Sequence, residues 1–335
     1  MSIIMTGGGT GGHLAIIKAV KEKLLDEELV YVGSTKGQDK QWFEEDEDFQ
    51  TKYFFQTRGV VNQGALGKIK SLWMVAKATL KGVMLIKKHK VKVVFSVGGF
   101  SSAPMAFASK LTFTPLVIHE QNASLGSLNK LLKPYATHFI SSYLQESPIK
   151  AYPIKKVFFD NAHIRKELKT IIFLGGSQGA KAINSLALEL APILKSKNII
   201  IIHQAGENNI KEIKMMYKAL DIEAEVFGFT SKLDEYMNRA DFAIARSGAS
   251  TLWELSASGI PSLYIPYPYA SSNHQFFNAE FFVKQEVAWI MNENEIDNSK
   301  IMVLFDEVLE EKSQKLLEIV QPNGSQEIAS LLTQI

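Results

Sequence analysis

The 335-residue sequence contains no cysteine, which excludes disulfide bonds, thiolate catalysis and cysteine-ligated zinc and is typical of a reducing compartment. It has little excess charge: the formal net charge is +2, so we predict no nucleic-acid partner. It lacks any run of about 18 uncharged apolar residues, which argues against a membrane-spanning helix. Its short apolar start has no basic region before it and does not indicate a signal peptide.

Glycines are concentrated in the stretch TGGGTGGH at residues 6–13, which follows a short apolar run. Glycine permits positive φ and lets a ligand approach the backbone amides, so we expect an anion there. Gly7, Gly9 and Gly12 match G-x-G-x-x-G, but a dinucleotide site also needs an acid at the end of the second strand. No carboxylate follows Val32 until Asp39, so the pattern argues against NAD, and we predict no cofactor. A tight turn without a ligand is the alternative.

Apolar runs bounded by turn residues alternate with helical stretches, a pattern typical of parallel α/β sheets. In the first half these runs are 3–5, 29–32, 91–97 and 115–119, and in the second 170–174, 198–203, 224–227, 241–245 and 262–265. A second glycine-rich turn, GGSQGA at 175–180, opens the second half. We therefore predict two doubly wound Rossmann-like domains facing across a cleft, a glycosyltransferase-B-like α/β architecture.

The pattern predicts four segments. Residues 1–157 form an N-terminal domain, and 158–169, with mixed charge and no sustained period, form a linker. Residues 170–315 form a C-terminal domain. Residues 316–335 form a C-terminal helix that packs back on the N-terminal domain.

The stretch ARSGASTLWELSASGIP, residues 245–261, predicts a strand that ends at Ala245, a turn at Ser247 and Gly248, and a helix that begins near Ala249. Helical spacing places Ser250, Thr251 and Glu254 on one face. Small residues at the helix start admit a phosphate, and a carboxylate one turn later can accept two hydroxyl hydrogen bonds. This spacing favours a diphosphate joined to a ribose, although a lone glutamate is more often a surface residue.

Two charged stretches allow two interpretations each. Residues 66–92 interleave apolar side chains with eight lysines, which suits a helix lying on an anionic membrane but also a core-facing helix with snorkelling lysines. Asp46 and Asp48 match the D-x-D pattern of metal-dependent transferases. They lie in an acidic run with no strand before it, so we predict a solvated face and no metal.

Four segments together resemble the MurG family of bacterial glycosyltransferases: 7–13 (GGGTGGH), 117–122 (VIHEQN), 175–180 (GGSQGA) and 246–254 (RSGASTLWE). His274 and Gln275, followed by Asn278 and Ala279, form a fifth. The resemblance implies transfer of N-acetylglucosamine from UDP-N-acetylglucosamine to the C4 hydroxyl of undecaprenyl-pyrophosphoryl-N-acetylmuramoyl-pentapeptide (lipid I). The product, lipid II, serves peptidoglycan synthesis in cell-wall growth and division.

The resemblance also implies roles for individual residues. Ser177 would contact the diphosphate, and Glu254 would bind the ribose hydroxyls. Gln275 would contact the donor sugar, and the backbone near Thr230 would bind the edge of the uracil. The full set implied for UDP-N-acetylglucosamine is Thr10, Gly11, Gly12, Asn122, Lys155, Ser177, Thr230, Ala249, Ser250, Thr251, Glu254 and Gln275. The set implied for the acceptor side is His13, Phe100, Ser101, His119, Glu120 and Asn122.

Three positions depart from the family pattern. Lys155 stands where the family has arginine, and lysine cannot reproduce a planar bidentate contact. Phe100 replaces a tyrosine and so lacks its hydroxyl, and His274 replaces the first of two paired glutamines.

An inverting displacement needs a base for the acceptor hydroxyl and stabilisation of the departing diphosphate. We predict His13 as the base, because an imidazole has an ordinary pKa of about 6.5 and accepts a proton at neutral pH. Glu120 is the competing candidate.

The implied partners are UDP-N-acetylglucosamine, the undecaprenyl-linked muramoyl-pentapeptide, an anionic membrane surface and other cell-wall synthesis proteins. The implied location is peripheral, on the cytoplasmic face of the bacterial plasma (inner) membrane. The alternatives are a UDP-N-acetylglucosamine epimerase, another glycolipid glycosyltransferase of the same fold, and a non-catalytic sugar-nucleotide-binding scaffold.

Overall fold

A computed structural model describes residues 1–57, 59, 64–176 and 178–335. The chain divides into two compact units, the first holding Met1–Lys155 with Pro322–Ile335 and the second holding Lys156–Gln321. Within the described ranges each unit contains one six-stranded sheet with helices between its strands. The predicted α/β class with two Rossmann-like domains is therefore confirmed.

The first sheet is parallel throughout and has the order β3-β2-β1-β4-β5-β6. Its strands are β1 Ser2–Thr6, β2 Glu28–Ser34, β3 Thr51–Phe55, β4 Val93–Ser96, β5 Leu116–His119 and β6 His138–Ile140. The helices of this part of the chain are α1 Gly11–Lys21, α2 Asp39–Phe43, α3 Ala65–Lys88, α4 Ala103–Thr112 and α5 Ser127–Leu132, with a 3₁₀ turn at Lys133–Tyr135.

The second sheet repeats this design, with the order β12-β11-β10-β7-β8-β9. Its strands are β7 Thr170–Leu174, β8 Ile200–Gln204, β9 Ala224–Phe227, β10 Phe242–Ala245, β11 Ser262–Tyr264 and β12 Ala288–Ile290. The helices are α6 Lys156–Asp160, α7 Lys181–Ser196, α8 Ile210–Ala219, α9 Leu233–Arg239, α10 Ala249–Ala257, α11 His274–Val283, α12 Asn298–Leu304 and α13 Leu309–Ile319, with 3₁₀ turns at Ser271–Asn273 and Glu293–Glu295. The last helix, α14 Gly324–Gln334, belongs to the first unit.

The central strands of both sheets form because short apolar runs are buried on both faces. Every residue of β1 and of β7 is buried, as expected for parallel strands covered by helices on both sides. Strand order reverses direction between β1 and β4 and between β7 and β10. In doubly wound sheets, ligands bind beyond the carboxyl ends of the strands at this switch point. We therefore expect ligands to bind at the loops that follow β1, β4, β5, β7 and β10.

Residues 158–169, interpreted from sequence as a linker, are part of the second unit in the structure. Arg165 is 1% exposed, and its guanidinium donates to the carbonyls of Asn238 (2.8 Å), Met237 (3.4 Å) and Ser258 (3.3 Å). These carbonyls end α9 and α10, where a cation complements the helix dipole. Arg165 thus anchors residues 158–169 to the C-terminal ends of α9 and α10.

Helix α14 packs on α1 within the first unit. A Cβ atom at Gly324 would lie 2.5 Å from the Tyr152 carbonyl oxygen, so only glycine fits there. The next residue, Ser325, donates to the Ile154 carbonyl at 3.1 Å. The end of the chain is thereby held beside residues 151–154.

Among the described residues, every helix is too short or too polar to cross a membrane.

Candidate active site

The first glycine-rich loop follows β1 and has backbone that other residues rarely adopt. Gly7, Gly8 and Gly9 have φ of 134°, 152° and 85°. A Cβ atom on Gly8 would lie 2.5 Å from a carboxylate oxygen of Asp39, and one on Gly9 would lie 2.6 Å from the Phe100 ring. The glycines are therefore required by close packing as well as by φ.

Asp39 lies against this loop and is fully buried. Its carboxylate accepts hydrogen bonds from the Gly9 amide (2.7 Å), the Ser34 amide (2.9 Å) and the Tyr31 hydroxyl (3.2 Å). The Gly9 amide is therefore engaged by the protein's own carboxylate. This carboxylate also does not act as the ribose-binding acid of a dinucleotide site, because its oxygens already accept hydrogen bonds from the protein itself.

His13 lies in the first turn of α1 with hydrogen-bonding groups at both ring nitrogens. Its Nδ1 is 2.9 Å from the Thr10 hydroxyl, and its Nε2 is 3.1 Å from the side-chain nitrogen of Gln121. Thr10 is the N-cap residue, but its side chain makes no capping hydrogen bond and is directed to the imidazole instead. Two neighbouring groups therefore orient His13 at the carboxyl end of β1.

His119 is the last residue of β5 and is completely buried, with its ring 5.6 Å from the Tyr152 ring. Burial, together with the nearby His13, lowers the pKa of His119 to about 3, so its imidazole is neutral at physiological pH. Among the described residues neither ring nitrogen has a hydrogen-bond partner.

Glu120 is 2% exposed, and its carboxylate holds the loop that follows β5. One oxygen accepts from the Asn122 amide (3.0 Å) and side chain (3.4 Å), and the other accepts from the Gly126 amide and the Asn129 side chain (both 2.9 Å). Four donors therefore occupy this carboxylate. These four hydrogen bonds fix the conformation of the loop. Because they occupy both carboxylate oxygens, Glu120 is poorly placed to take a proton from a substrate.

The remaining acceptor-side candidates lie at the same edge of the first sheet. Phe100 and Ser101 follow β4, and the Ser101 hydroxyl is buried without a partner among the described residues. Gly11 and Gly12 are the first two residues of α1. Lys155 is the last residue of the first unit's main segment.

In the second unit, helix α10 begins directly after β10, with Gly248 as N-cap and no side-chain cap. Ala249 is buried at the helix start, while Ser250, Thr251 and Glu254 are partly exposed. The amides of this first turn and the positive end of the helix dipole suit an anion. Glu254 lies one turn further along, as its spacing predicts.

The second glycine-rich loop, after β7, contains Gly176 and Gly179, both with φ of 82°. A Cβ atom at Gly179 would lie 2.4 Å from the Ala205 carbonyl oxygen, whereas one at Gly176 would meet nothing within 4 Å. Gly176 therefore faces open space. Ser177 lies outside the described residues.

Gln275 and Thr230 are near the ends of other strands of this sheet. The Gln275 side-chain oxygen accepts from the Tyr267 amide at 2.9 Å, and the Thr230 hydroxyl accepts from the Lys232 amide at 3.0 Å. Arg246 donates to the carbonyls of Ile265 (2.9 Å) and Pro266 (3.0 Å), and it pairs with Glu293.

In the predicted solvated acidic face at residues 44–48, Asp48 is exposed as predicted, whereas the Asp46 side chain is mostly covered. Lys21 is 2% exposed, and its ammonium lies 2.6 Å from both Asp46 and Asp48. Because a buried ammonium needs compensating charge, these carboxylates neutralise Lys21. Among the described residues no cluster of three or more histidine, aspartate or glutamate side chains is placed to hold a metal.

Comparison with known families gives matches in both units. The N-terminal domain model of glycosyltransferase family 28 matches residues 3–141, and the C-terminal domain model of that family matches residues 170–332. A relative from Sulfurovum sp. (strain NBC37-1) is 68% identical over 99% of this chain and 98% of its own length. The chain belongs to glycosyltransferase family 28. It is therefore a glycosyltransferase with the glycosyltransferase-B-like fold.

The Sulfurovum family member is named UDP-N-acetylglucosamine–N-acetylmuramyl-(pentapeptide) pyrophosphoryl-undecaprenol N-acetylglucosamine transferase. Among solved structures, MurG from Acinetobacter baumannii matches with a TM-score of 0.81 and 26% identity, covering 100% of this chain and 99% of that one. A candidate UDP-N-acetylglucosamine 2-epimerase from Listeria monocytogenes has a TM-score of 0.67 at 9% identity, covering 99% and 96%. The latter likeness extends to the fold alone.

Proposed function

We propose that this family 28 enzyme transfers N-acetylglucosamine from UDP-N-acetylglucosamine to the C4 hydroxyl of lipid I, giving lipid II for peptidoglycan synthesis. The observation that carries the proposal is the 68% identity, over 99% of the chain, to the transferase of that name. The second unit would hold the nucleotide sugar and the first the lipid-linked acceptor.

The reaction is a single displacement with inversion. The acceptor oxygen forms a bond to the anomeric carbon, while the bond from that carbon to the β-phosphate oxygen breaks and its electron pair leaves with UDP. The hydroxyl proton passes to a base, and amides at helix starts stabilise the charge that grows on the diphosphate.

His13 is our choice of base over Glu120, and the contacts of the two side chains support it. Glu120 already accepts four hydrogen bonds within its own loop, so it serves to position Asn122 beside the site. The imidazole of His13 contacts the Thr10 hydroxyl and the Gln121 side-chain nitrogen, and we assign it to receive the proton of the substrate hydroxyl.

On the donor side, the first turn of α10 would line the diphosphate through Ala249, Ser250 and Thr251, and Glu254 would accept the ribose hydroxyls. The second glycine loop, with Ser177, would approach the phosphates from β7. Gln275 would contact the sugar, and the backbone near Thr230 the uracil. Thr10, Gly11, Gly12, Asn122 and Lys155 would complete the set from the first unit.

Glu254→Ala is expected to raise the donor KM at least about tenfold, because two charge-assisted hydrogen bonds to the ribose are lost, worth about 1.5–3 kcal/mol. The variant should also fail to discriminate against 2′-deoxy donor. Steady-state kinetics with both donors measures this. Glu212→Ala, which removes an exposed glutamate from the first turn of α8, is the matched control. An unchanged donor KM in Glu254→Ala would remove this carboxylate from the site.

Activity is expected to persist in EDTA, since backbone amides and helix dipoles are assigned the charge neutralisation. The double substitution Asp46→Asn with Asp48→Asn should instead lower the free energy of unfolding by about 1–3 kcal/mol, because buried Lys21 loses its counter-charges. Chemical denaturation measures the second effect. Loss of turnover in EDTA that manganese or magnesium restores would contradict the assignment.

Helix α3 supports peripheral attachment to a membrane. Val75, Leu85 and Ile86 are buried in the core, but other apolar side chains of the helix are exposed. These exposed residues recur at helical spacing and form what we term the α3 face: Ile69, Leu72, Trp73, Leu80 and Met84. Exposed lysines lie on or beside it: Lys70, Lys77, Lys81 and Lys87. Such a face suits the cytoplasmic leaflet of the plasma membrane, which is anionic.

Incubation with UDP-N-acetylglucosamine, with and without lipid I, tests the proposal. Release of UDP only with the acceptor, together with formation of the disaccharide lipid, is the expected result. Epimer formation without acceptor would identify an epimerase, transfer to a different glycolipid would identify another transferase of the fold, and binding without turnover would identify a scaffold.

A further inference from the structure

His203 lies on β8 and is completely buried, yet the proposed reaction gives its imidazole no role. Its Nε2 is 3.1 Å from the side-chain oxygen of Asn184 on α7, and its Nδ1 is 3.0 Å from the hydroxyl of Tyr217 on α8. Asn184 in turn donates from its side-chain nitrogen to the Ala205 carbonyl at 3.1 Å. The imidazole therefore connects two helices to the residue that follows β8.

The Ala205 carbonyl fixes the orientation of the Asn184 amide, because a carbonyl oxygen can only accept a hydrogen bond. The amide nitrogen must face Ala205, so the amide oxygen faces His203 and accepts the proton on Nε2. Nδ1 then presents its lone pair to Tyr217, whose hydroxyl donates. Burial lowers the pKa of His203 to about 4, so the ring is neutral at physiological pH. One arrangement of protons thus satisfies both ring nitrogens.

The Ala205 carbonyl lies directly against the second glycine loop. A Cβ atom at Gly179 would be 2.4 Å from the Ala205 oxygen, and one at Gly206 would be 2.3 Å from the Cα atom of Gly179. Asn209 also donates to the Ala205 oxygen at 3.2 Å, and although it is the N-cap residue of α8 it makes no capping hydrogen bond. Because backbone packs on backbone here, the position of this carbonyl determines the position of the loop.

We propose that His203 is a positioning residue for the donor, because it orients the Asn184 amide that holds the Ala205 carbonyl against the second glycine loop. The inference rests on the proposed function, in which this loop approaches the diphosphate of the nucleotide sugar. A buried polar network adds little net stability over apolar packing, but it fixes a single geometry when its groups are satisfied. Such a network suits a loop whose backbone must contact a phosphate.

Five variants separate positioning of the loop from packing of the core. His203→Leu and Asn184→Ala each break the contact between the ring and the amide. His203→Gln is the conservative change, because its side-chain nitrogen can donate to Asn184 from near the place of Nε2. Tyr217→Phe removes only the hydroxyl on the other side of the ring. Ser313→Ala is the matched control, since it removes a buried hydroxyl of the same unit that donates to the Gly259 carbonyl at 2.6 Å.

The first measurement is hydrogen–deuterium exchange of the full chain without substrate, read by mass spectrometry on peptides that cover residues 175–180. In this loop the Gly179 amide donates to the Gly176 carbonyl at 2.9 Å, so its exchange rate reports the order of the loop. We expect exchange about tenfold faster in His203→Leu and Asn184→Ala, and close to the wild-type rate in the other three variants. Unaltered exchange in both of the first two, or equal acceleration in the matched control, would overturn the proposal.

The second measurement is UDP binding by calorimetry, with thermal unfolding of each variant recorded alongside. We expect the Kd for UDP and the donor KM to rise at least about fivefold in His203→Leu and in Asn184→Ala, with the acceptor KM unchanged. The double variant should show no further rise, because the two residues act in one chain of contacts. Tyr217→Phe and Ser313→Ala should lower the unfolding midpoint and leave UDP affinity intact, and His203→Gln should keep most of that affinity.

A packing role predicts a different pattern. UDP affinity that follows the unfolding midpoint across all variants, or effects of His203→Leu and Asn184→Ala that add in the double variant, would contradict the proposal. If the wild type binds no UDP, the proposed function fails, whereas the exchange measurement still decides whether His203 and Asn184 hold the loop.

Discussion

Replacing His13 with alanine is expected to lower kcat by about 10²–10⁴-fold, the usual cost of removing a general base. The imidazole lies in the first turn of α1, held by Thr10 at Nδ1 and by Gln121 at Nε2. Donor affinity should change little, because the donor residues that we propose lie mainly in the second unit. Steady-state kinetics with each substrate varied in turn separates the two effects.

The matched variant is His13→Gln, which keeps hydrogen bonding in this position but cannot take up a proton. It should be almost as slow as His13→Ala. If His13 only binds the acceptor, the acceptor KM rises in both variants while kcat remains near the wild-type value. In that case the role of base would pass to Glu120, although that carboxylate would first have to release some of its four donors.

Reversing the charge of Lys70, Lys77, Lys81 and Lys87 is expected to weaken binding to anionic vesicles by at least about 10³-fold. Each lysine near such a surface contributes about 1 kcal/mol, and about 1.4 kcal/mol corresponds to tenfold in partitioning. These side chains are exposed on α3 beside its apolar face, so their replacement leaves the core intact. Vesicle sedimentation across a series of salt concentrations measures the effect.

Two controls accompany this experiment. Reversal of four exposed lysines in the second unit changes the net charge equally and should leave vesicle binding largely intact: Lys211, Lys214, Lys218 and Lys300. Replacing Leu72, Trp73 and Leu80 with serine should weaken binding to neutral and anionic vesicles alike. Turnover of a short-chain soluble acceptor should survive in every variant. Vesicle binding that resists both sets of substitutions on α3 would remove this helix from the membrane contact.

The central strands of both sheets could be predicted from sequence, whereas three edge strands could not. Strand β7, Thr170–Leu174, has the predicted bounds because its apolar residues are continuous and end at glycine. Strands β3, β6 and β12 lie at sheet edges and are only partly buried. An edge strand needs no continuous apolar run, so its sequence lacks the signal that marks a central strand.

The candidate site was predictable where its residues are adjacent in sequence and not where tertiary contacts decide. The glycine loop, His13 and the start of α10 are recognisable from local spacing. The contacts of Asp39 with Gly9 and of Gln121 with His13 join residues 30 and 108 positions apart, so no local pattern reports them. Asp39 entered the sequence argument only as an acid in the wrong place for NAD, and its actual role is to hold the loop.

The second unit is a single continuous stretch of chain, whereas the first is assembled from two. Both junctions leave the first unit near one point, because Ser325 donates to the Ile154 carbonyl and Gly324 lies against the carbonyls of residues 151 and 152. The second unit is therefore an insertion with neighbouring ends, and a short glycine-rich bridge from Lys155 to Pro322 could close the first without it. Such an arrangement lets the second unit be exchanged as one continuous segment, while the first unit keeps its own fold.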